Sequence, residues 1–309
     1  MSTTEYRSLV RKPDDFDAFW DDVLRQAAAI PLNVEVVPDP LRTSDDIEVF
    51  HVFYDSLEHV RIAAWYCRPT RRSERMPAIM LLPGYQMDPP IPKDWARKGY
   101  VALSVAPRGK LRSNRQFNPG YPNLLTHNIV DRHTYAYRGF YVDTWRGIDV
   151  LLSRPEVDPT RIGVTGSSQG GGLTITTAAM RPEVRAASAG APYLCGFMDA
   201  IELTHTYPYE EINDYLRRHP DRRREVEQTV AYFDGINFAD RIACPIIVNI
   251  GLQDNVVPPE TGYALFDRIG SKDKQLYPYD GHGHEAGRYR HTAVVEWFFA
   301  RHLGGRETN

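Results

Sequence analysis

The stretch that most constrains the fold of this chain is Gly166-Ser167-Ser168-Gln169-Gly170, which matches a Gly-x-Ser-x-Gly pattern. A short β-branched run at 161–165 precedes it, as in a strand that is covered on both faces. Small and apolar residues follow it as far as Pro182 and predict a helix. A strand that passes into a helix at this pattern is typical of a sharp turn that exposes a nucleophile, so Ser168 is the candidate nucleophile.

The glycines on either side of Ser168 have a steric explanation. Such a turn forces the nucleophile into a strained backbone conformation, and side chains at Gly166 or Gly170 would collide with the neighbouring strand and helix. The pattern also occurs by chance in loops that contain Gly and Ser. The functional interpretation therefore depends on partners elsewhere in the chain.

Length and composition favour one large α/β domain over residues 1–309. The chain has 42% hydrophobic residues, enough for a sizeable core, and its net charge of −3 gives no electrostatic footprint for nucleic acid or an anionic membrane. Its first residues lack the basic and apolar regions of a signal peptide, and no apolar run is long enough to cross a bilayer. We therefore expect a cytoplasmic protein without nucleic-acid or membrane partners.

The three cysteines, Cys67, Cys195 and Cys244, have neither metal-binding nor redox spacing. We expect reduced thiols in the core. A cysteine nucleophile is disfavoured, because none of the three lies in a glycine-flanked turn.

The order of strand-like and helix-like segments predicts an α/β fold with a mostly parallel sheet and helices on both faces. A helix with an aromatic stripe begins near Lys12-Pro13-Asp14-Asp15, and two alternating segments, 47–54 and 60–67, follow as antiparallel strands. Short apolar runs then alternate with helical patterns, as in a parallel sheet. These runs lie at 78–82, 100–105, 161–165, 186–189 and 246–250.

Two further segments are predicted to be helical. The segment 141–153 has the pattern of an amphipathic helix, and we expect it to serve packing. The polar and aromatic stretch 197–240 is too long for a plain crossover, which predicts a cap insertion over the carboxyl edge of the sheet. Its basic residues at 217–224 are interleaved with acids and indicate a solvated face.

A serine nucleophile needs a base, and the base needs an acid that fixes its tautomer. In this type of fold the order along the chain is Ser, then Asp or Glu, then His. Asp254 follows the strand-like run 246–250, where catalytic groups of open α/β sheets collect. His284 follows the run 275–279 and is the candidate base, with His282 as the alternative.

A metal site is a second interpretation of His282, His284 and Glu285. No further ligand stands at a recognisable spacing, so this interpretation is disfavoured. We expect neither a metal nor an organic cofactor.

An oxyanion hole requires two backbone N–H groups. Gln169, which follows the nucleophile, would supply one of them. The other would come from the loop at 83–86, with the N–H of Tyr85 as the donor and Gly84 allowing a close approach. The phenol of Tyr85 would also line the acyl pocket, and a tyrosine on an ordinary turn is the alternative.

Together these motifs resemble the acetyl xylan esterase and cephalosporin C deacetylase family, carbohydrate esterase family 7, over nearly the whole chain. The motifs are Tyr135-Ala136-Tyr137-Arg138-Gly139, the run 161–172, Tyr232-Phe233-Asp234, Gly251-Leu252-Gln253-Asp254 with Pro258-Pro259, and Gly283-His284-Glu285.

The resemblance implies an α/β-hydrolase fold, a triad of Ser168, Asp254 and His284, and an oxyanion hole formed by the amides of Tyr85 and Gln169. It implies a serine esterase that removes acetyl groups from acetylated xylose and xylo-oligosaccharides, other acetylated sugars and cephalosporin C. It also implies a homo-oligomer, commonly a hexamer whose sites face an internal chamber, which favours short substrates over polymer.

Three positions depart from the family pattern. Pro83 stands where the family usually has histidine, Lys110 where it has glutamine, and Ser167 where it has glycine. None of them removes a triad member, and together they predict a shifted acyl or alcohol preference. The alternatives are an esterase or acyltransferase for a non-carbohydrate ester, and a non-catalytic protein that retains the fold.

Overall fold

The centre of the computed structural model, which describes residues 6–71 and 75–304, is one sheet of nine strands. The strands are β1 (Glu35–Pro38), β2 (Ile47–Asp55), β3 (Arg61–Pro69), β4 (Met76–Leu82), β5 (Val101–Ala106), β6 (Val157–Ser167), β7 (Val184–Gly190), β8 (Ile246–Gly251) and β9 (Lys274–Tyr279). They pair in the order β1-β2-β3-β5-β4-β6-β7-β8-β9.

The sheet is antiparallel at its N-terminal side and parallel elsewhere. The pairs β1–β2, β2–β3 and β3–β5 are antiparallel, and the five remaining pairs from β5 to β9 are parallel. The predicted mostly parallel sheet with N-terminal antiparallel strands is therefore confirmed. The central parallel strands β4, β5, β7 and β8 are short and almost entirely buried, so their sequence pattern was sufficient to locate them.

Helices cover both faces of this sheet, as predicted. They are α1 (Phe16–Ala28), α2 (Lys93–Arg97), α3 (Ala136–Leu152), α4 (Gln169–Met180), α5 (Phe197–Leu203), α6 (Glu210–Arg218), α7 (Arg223–Val230), α8 (Pro259–Arg268) and α9 (Arg288–Leu303). On β4, Ile79 packs in a cluster with Phe298 and Phe299 of α9. Its neighbour Met80 belongs to the larger cluster on the opposite face, since successive strand residues point to opposite sides.

The N-terminal helix α1 buries the predicted aromatic stripe. Phe16, Phe19 and Trp20 are buried, and the indole of Trp20 packs edge-on against Trp145 of α3 with ring centroids 4.9 Å apart. The indole N–H donates to the carbonyl of Tyr232 at 2.9 Å. The stripe thus fastens α1 to α3 and to the segment that precedes β8.

Helix α3 differs from its prediction in length and in character. It begins at Ala136 rather than at 141, and apart from Asp149 and Leu152 its residues are buried. The amphipathic interpretation is wrong, because α3 is enclosed by other elements and buries polar side chains as well. One of these is Asp143, which binds Arg108 from the loop after β5.

The stretch between β7 and β8 contains the three helices α5, α6 and α7. Two of its basic residues are paired with acids: Arg217 contacts Glu210 and Asp214, and Arg223 contacts Glu202 and Glu227. The predicted solvated face is confirmed. In the described ranges, no helix combines the length and the apolar character that crossing a bilayer requires.

The two outer strands of the sheet, β1 and β9, each contain a proline. Pro38 ends β1 and Pro278 lies near the end of β9. Proline has no N–H and is tolerated in sheets mainly on edge strands, which is where both residues lie.

Candidate active site

Ser168 lies at the sharp turn between β6, which ends at Ser167, and α4, which begins at Gln169. Its backbone dihedrals are φ 59° and ψ −123°, a combination that is unfavourable for a residue with a side chain. The N–H of Ser168 donates to the carbonyl of Gly190 at 2.9 Å, which helps to hold the turn. The predicted backbone strain at Ser168 is therefore confirmed.

The two flanking glycines are required by close backbone contacts, as predicted. A Cβ atom at Gly166 would lie 2.6 Å from the carbonyl carbon of Gly170 and 2.7 Å from the carbonyl oxygen of Leu82. A Cβ atom at Gly170 would lie 2.1 Å from the same oxygen of Leu82. Because these atoms belong to the backbone, a side chain at either position would displace the turn that presents Ser168.

Asp254 and His284 meet at the carboxyl ends of neighbouring parallel strands, β8 and β9. His284 Nδ1 lies 2.8 Å from Asp254 Oδ2, and the carboxylate is 1% exposed. The other carboxylate oxygen, Oδ1, accepts the N–H groups of Val256 at 2.8 Å and Val257 at 2.9 Å. These contacts hold the carboxylate of Asp254 in a fixed orientation. Because His284 faces Asp254 through Nδ1, its other ring nitrogen, Nε2, points away from the carboxylate.

His282, the alternative base, has a different partner. Its Nδ1 lies 3.1 Å from Glu285 Oε1, and its ring packs against Tyr279. The structure therefore brings His284, and not His282, to Asp254. Among the described residues, no group of three or more His, Cys, Asp or Glu side chains is arranged to hold a metal ion.

Ser168 and His284 line one cavity of about 500 Å³. The cavity is lined by Tyr85, Gln86, Pro122, Ser168, Tyr207, Pro208, Glu211, Val256 and His284. In the described part of the chain no hydrogen bond joins Ser168 to His284, and such bonds commonly tighten only when substrate binds. The nucleophile and the base candidate thus share a chamber large enough for a small ester.

The N–H groups of the two predicted oxyanion donors are unpaired in the described structure. Among the described residues, neither the N–H of Tyr85 nor that of Gln169 donates to a protein acceptor. Gln169 begins α4, where the first N–H groups have no partner within the helix. Its buried side chain accepts the hydroxyl of Tyr137 at 2.9 Å, which fixes the first turn of α4.

The phenol of Tyr85 is bound to Glu211, a residue that the sequence did not single out. Tyr85 donates to Glu211 Oε1 at 2.6 Å and accepts the N–H of Leu125 at 3.0 Å. The second oxygen of Glu211 accepts the N–H of Asn123 at 2.9 Å. Burial raises the pKa of Glu211 above its usual range. Tyr85 is therefore a fixed part of the cavity wall and not a tyrosine on an ordinary turn.

Lys110 is a second unexpected neighbour of the same loop. It is buried, and its amine donates to the carbonyl of Gly84 at 2.6 Å and also to the carbonyl of Tyr85. The departure of this position from the family pattern was visible in the sequence, but its contact with 83–86 was not.

The cysteines take no part in this cavity. Cys67 and Cys195 are buried, and Cys244 is partly buried. Burial raises the pKa of the Cys67 and Cys244 thiols to about 12, so both are protonated and unreactive at neutral pH.

A serine on a strained strand-to-helix turn and an imidazole on a buried carboxylate, all at the carboxyl edge of a parallel sheet, define a hydrolase of the α/β class. Within that class, the chain belongs to the acetyl xylan esterase (AXE1) family, which matches residues 2–301.

Solved structures and a curated relative agree with this family. The chain is 32% identical to an acetyl xylan esterase from Paenibacillus sp. R4, with a TM-score of 0.91 over 97% of this chain and 98% of that one. It is 27% identical to acetyl xylan esterase 1 from Thermoanaerobacterium sp. JW/SL YS485, with a TM-score of 0.88 over 97% of each chain. It is 29% identical to acetyl esterase Axe7A of Xylanibacter ruminicola over 89% of its length, but spans only 65% of that relative.

Proposed function

We propose that this protein is a serine esterase that removes acetyl groups from small O-acetylated substrates. The substrates are acetylated xylose and xylo-oligosaccharides, other acetylated sugars and cephalosporin C. The observation that carries the proposal is the 2.8 Å contact between His284 and Asp254 on the wall of the cavity that also contains Ser168. Membership of the acetyl xylan esterase family supports the choice of an acetyl ester.

In the first half of the reaction, Ser168 Oγ attacks the acetyl carbonyl while His284 Nε2 takes its proton. Asp254 keeps the proton of His284 on Nδ1 and stabilises the imidazolium that forms. The N–H groups of Tyr85 and Gln169 donate to the oxyanion of the tetrahedral intermediate. The intermediate collapses when His284 gives its proton to the departing alcohol, which leaves an acetyl group on Ser168.

In the second half, water replaces the alcohol. His284 takes a proton from the water as it attacks the acetyl-serine, and the same two N–H groups hold the second oxyanion. Acetate leaves, and His284 returns the proton to Ser168 Oγ. Nothing in this sequence of steps requires a metal or an organic cofactor.

We further propose that the stretch 197–240 acts as a cap of a single-domain enzyme. The proposal is supported by Tyr207, Pro208 and Glu211, which come from this stretch and line the cavity together with Ser168. A cavity of about 500 Å³ bounded in this way suits a short acyl group and a small alcohol better than a polymer.

The test is acetate release from acetylated xylose and from p-nitrophenyl acetate, with Ser168→Ala as the variant. We expect kcat to fall by a thousandfold or more, since only the oxyanion donors and binding remain. Ser167→Ala is the matched control, because it removes the neighbouring hydroxyl and leaves the triad intact; it should keep activity within about tenfold. A Ser168→Ala enzyme that stays active removes this serine from its role.

A second candidate function is an esterase or acyltransferase of the same fold for a non-carbohydrate ester. Pro83, Lys110 and Ser167, which differ from the family pattern, lie in or beside the loops that shape the cavity and favour keeping this candidate. A panel of acetylated sugars, aryl esters and longer acyl esters, compared by kcat/KM with and without an added alcohol, separates the two. Preference for acetylated sugars in water supports the first function.

A further inference from the structure

The position of Lys110 in the interior is unusual for a lysine. Its side chain is 2% exposed, and its amine donates to the carbonyls of Gly84 and Tyr85 instead of forming an ion pair in the described structure. It lies 5.2 Å from the centre of the Tyr121 ring. The direct hydrogen bonds of this buried amine thus both go to the loop at 83–86.

Several contacts hold the loop that carries Lys110 against its surroundings. Arg108 binds Asp143 of α3 through its backbone N–H at 2.9 Å and through two side-chain contacts at 2.9 and 3.0 Å. Its guanidinium also binds Glu58 at 2.7 Å. The N–H of Ser113 donates to the carbonyl of Lys110 at 2.8 Å and closes the turn.

One of the two carbonyls bound by Lys110 belongs to the same peptide group as an oxyanion donor. The carbonyl of Gly84 and the N–H of Tyr85 are the two ends of one planar amide. A cation on the carbonyl oxygen draws electron density from the amide nitrogen, which makes the N–H a stronger donor. The same contact fixes the plane of the amide and hence the direction of the N–H.

From this geometry we propose that Lys110 is a positioning residue of the oxyanion loop, whose ammonium group orients and polarises the Gly84–Tyr85 peptide. The inference rests on the proposed esterase function, in which Tyr85 N–H binds the oxyanion. Lys110 does not touch the substrate, so its effect on the reaction passes entirely through this peptide.

The charge on Lys110 is sensitive to pH near neutrality. Burial lowers the pKa of its amine to about 7, against a weak opposing influence of Asp88. Three other titratable or charged groups surround Lys110. They are Tyr121, whose ring its amine faces, Arg112, which interacts with Asp88, and Glu211, which accepts the hydroxyl of Tyr85. As pH rises through about 7, Lys110 therefore loses the charge that polarises the peptide, and the oxyanion is held less strongly.

The experiment compares kcat and KM for p-nitrophenyl acetate in the wild-type protein, Lys110→Met and Lys110→Gln. Lys110→Met should lower kcat by about ten- to a hundredfold with little change in KM, because an oxyanion donor acts on the transition state. Lys110→Gln, which keeps a neutral donor, should retain more of the rate. An unchanged kcat in Lys110→Met overturns the inference.

The pH profile separates polarisation from simple packing. As pH rises through about 7, kcat/KM of the wild type should decline severalfold relative to that of Lys110→Gln, whose amide does not titrate; the ratio removes the dependence on the imidazole base that both proteins share. A decline of the same size and position in Lys110→Gln contradicts the proposal. If Lys110→Met does not fold, the comparison of Lys110→Gln with the wild type still decides the question.

Lys274→Met is the matched control. Lys274 is partly buried, and its amine, like that of Lys110, donates to two backbone carbonyls, those of Phe266 at 2.8 Å and Ile269 at 2.9 Å. It is the first residue of β9, at the opposite end of the strand from the loop that carries His284. It should keep the wild-type pH profile and kcat. Labelling of the wild type by a fluorophosphonate tests the esterase function separately: no labelling and no hydrolysis refute that function, whereas labelling with normal turnover in Lys110→Met refutes only the role of Lys110.

Discussion

Gly170 shows how narrowly single residues determine the site. Gly170 is the second residue of α4, and the carbonyl oxygen of Leu82 lies 2.1 Å from where its Cβ atom would be. Since this oxygen belongs to β4, the elbow is shaped by direct contact between a strand and a helix backbone. The strained dihedrals of Ser168 are maintained by that contact and by the Gly190 carbonyl that accepts its N–H.

Asp254→Asn is predicted to lower kcat by about a thousand- to ten-thousandfold, as a wrong imidazole tautomer does in other serine hydrolases. Oδ1 of Asp254 already accepts two N–H groups, from Val256 and Val257. The asparagine oxygen would take that place, and its NH₂ group would face His284 Nδ1. The imidazole proton would then move to Nε2, where it prevents His284 from acting as the base. Steady-state kinetics with p-nitrophenyl acetate measures the loss.

Asp280→Asn is the matched control for that prediction. Asp280 lies in the loop that also carries His284, but the partners of its exposed carboxylate within the described ranges are the side-chain amide of Gln253 and the N–H of Gly281. The kcat of Asp280→Asn should stay close to that of the wild type. Equal losses in the two variants would mean that general loop damage, and not the imidazole tautomer, lowers the rate.

For single residues, the Gly-x-Ser-x-Gly pattern and the order of Ser, Asp and His along the chain were enough to identify the candidates. The contacts that support these residues were not visible in the sequence. Ser168, Asp254 and His284 stand at the ends of strands that local patterns reveal. Glu211 and Lys110 contact the Tyr85 loop across long separations in the chain. No local pattern encodes such contacts, because they depend on how the stretch 197–240 and the loop after β5 fold back over the sheet.

Among the elements, the segment before β8 is tied to the start of α5 by one buried carboxylate. Asp234 Oδ1 accepts the N–H groups of Gly196 at 2.8 Å and Ile236 at 3.0 Å, and Oδ2 accepts that of Phe197 at 2.9 Å. Burial nevertheless raises the pKa of Asp234 to about 7. The carboxylate therefore anchors the first of the three helices between β7 and β8.

Asp234→Asn is predicted to destabilise the fold by about 1–3 kcal/mol, because the asparagine NH₂ group leaves at least one buried N–H without an acceptor. Urea unfolding at pH 8, where the wild-type carboxyl is ionised, measures the change. Asp240→Asn is the control: Asp240 is 60% exposed and pairs with Lys12 at the surface, so its loss should cost less than about 1 kcal/mol. Similar costs for both variants would contradict the anchoring role.

Element boundaries were predicted well where a local apolar run marks the buried residues, and poorly where contacts between distant parts of the chain bury them. Strands β4 to β8 each contain a short apolar run, so the predicted runs coincide with these strands within a few residues. Helix α3 was predicted to begin at 141, since its first turn contains Arg138 and Gly139, which give no apolar stripe. Its early part is buried by tertiary contacts, among them Arg138 with Glu58, which lie far apart in sequence.

For the whole molecule, the assembly state remains a proposal that follows from the family resemblance. We predict that the protein sediments as a homo-oligomer, a hexamer being six times the 35.3 kDa of the chain. Large apolar side chains that a single chain leaves exposed, such as Leu41 and Tyr289, are the kind of surface that association covers. Light scattering coupled to size exclusion measures the mass, and a species of 35.3 kDa at micromolar concentration would refute the prediction.

The prolines of β1 and β9 restrict how such copies can meet. A backbone without an N–H at Pro38 and Pro278 cannot complete the ladder of a strand arriving from another molecule. Each border of the sheet therefore lacks one N–H that an arriving strand would need, which disfavours growth of the sheet from chain to chain. Association of copies through side-chain surfaces is therefore favoured over pairing of strands at the sheet edges.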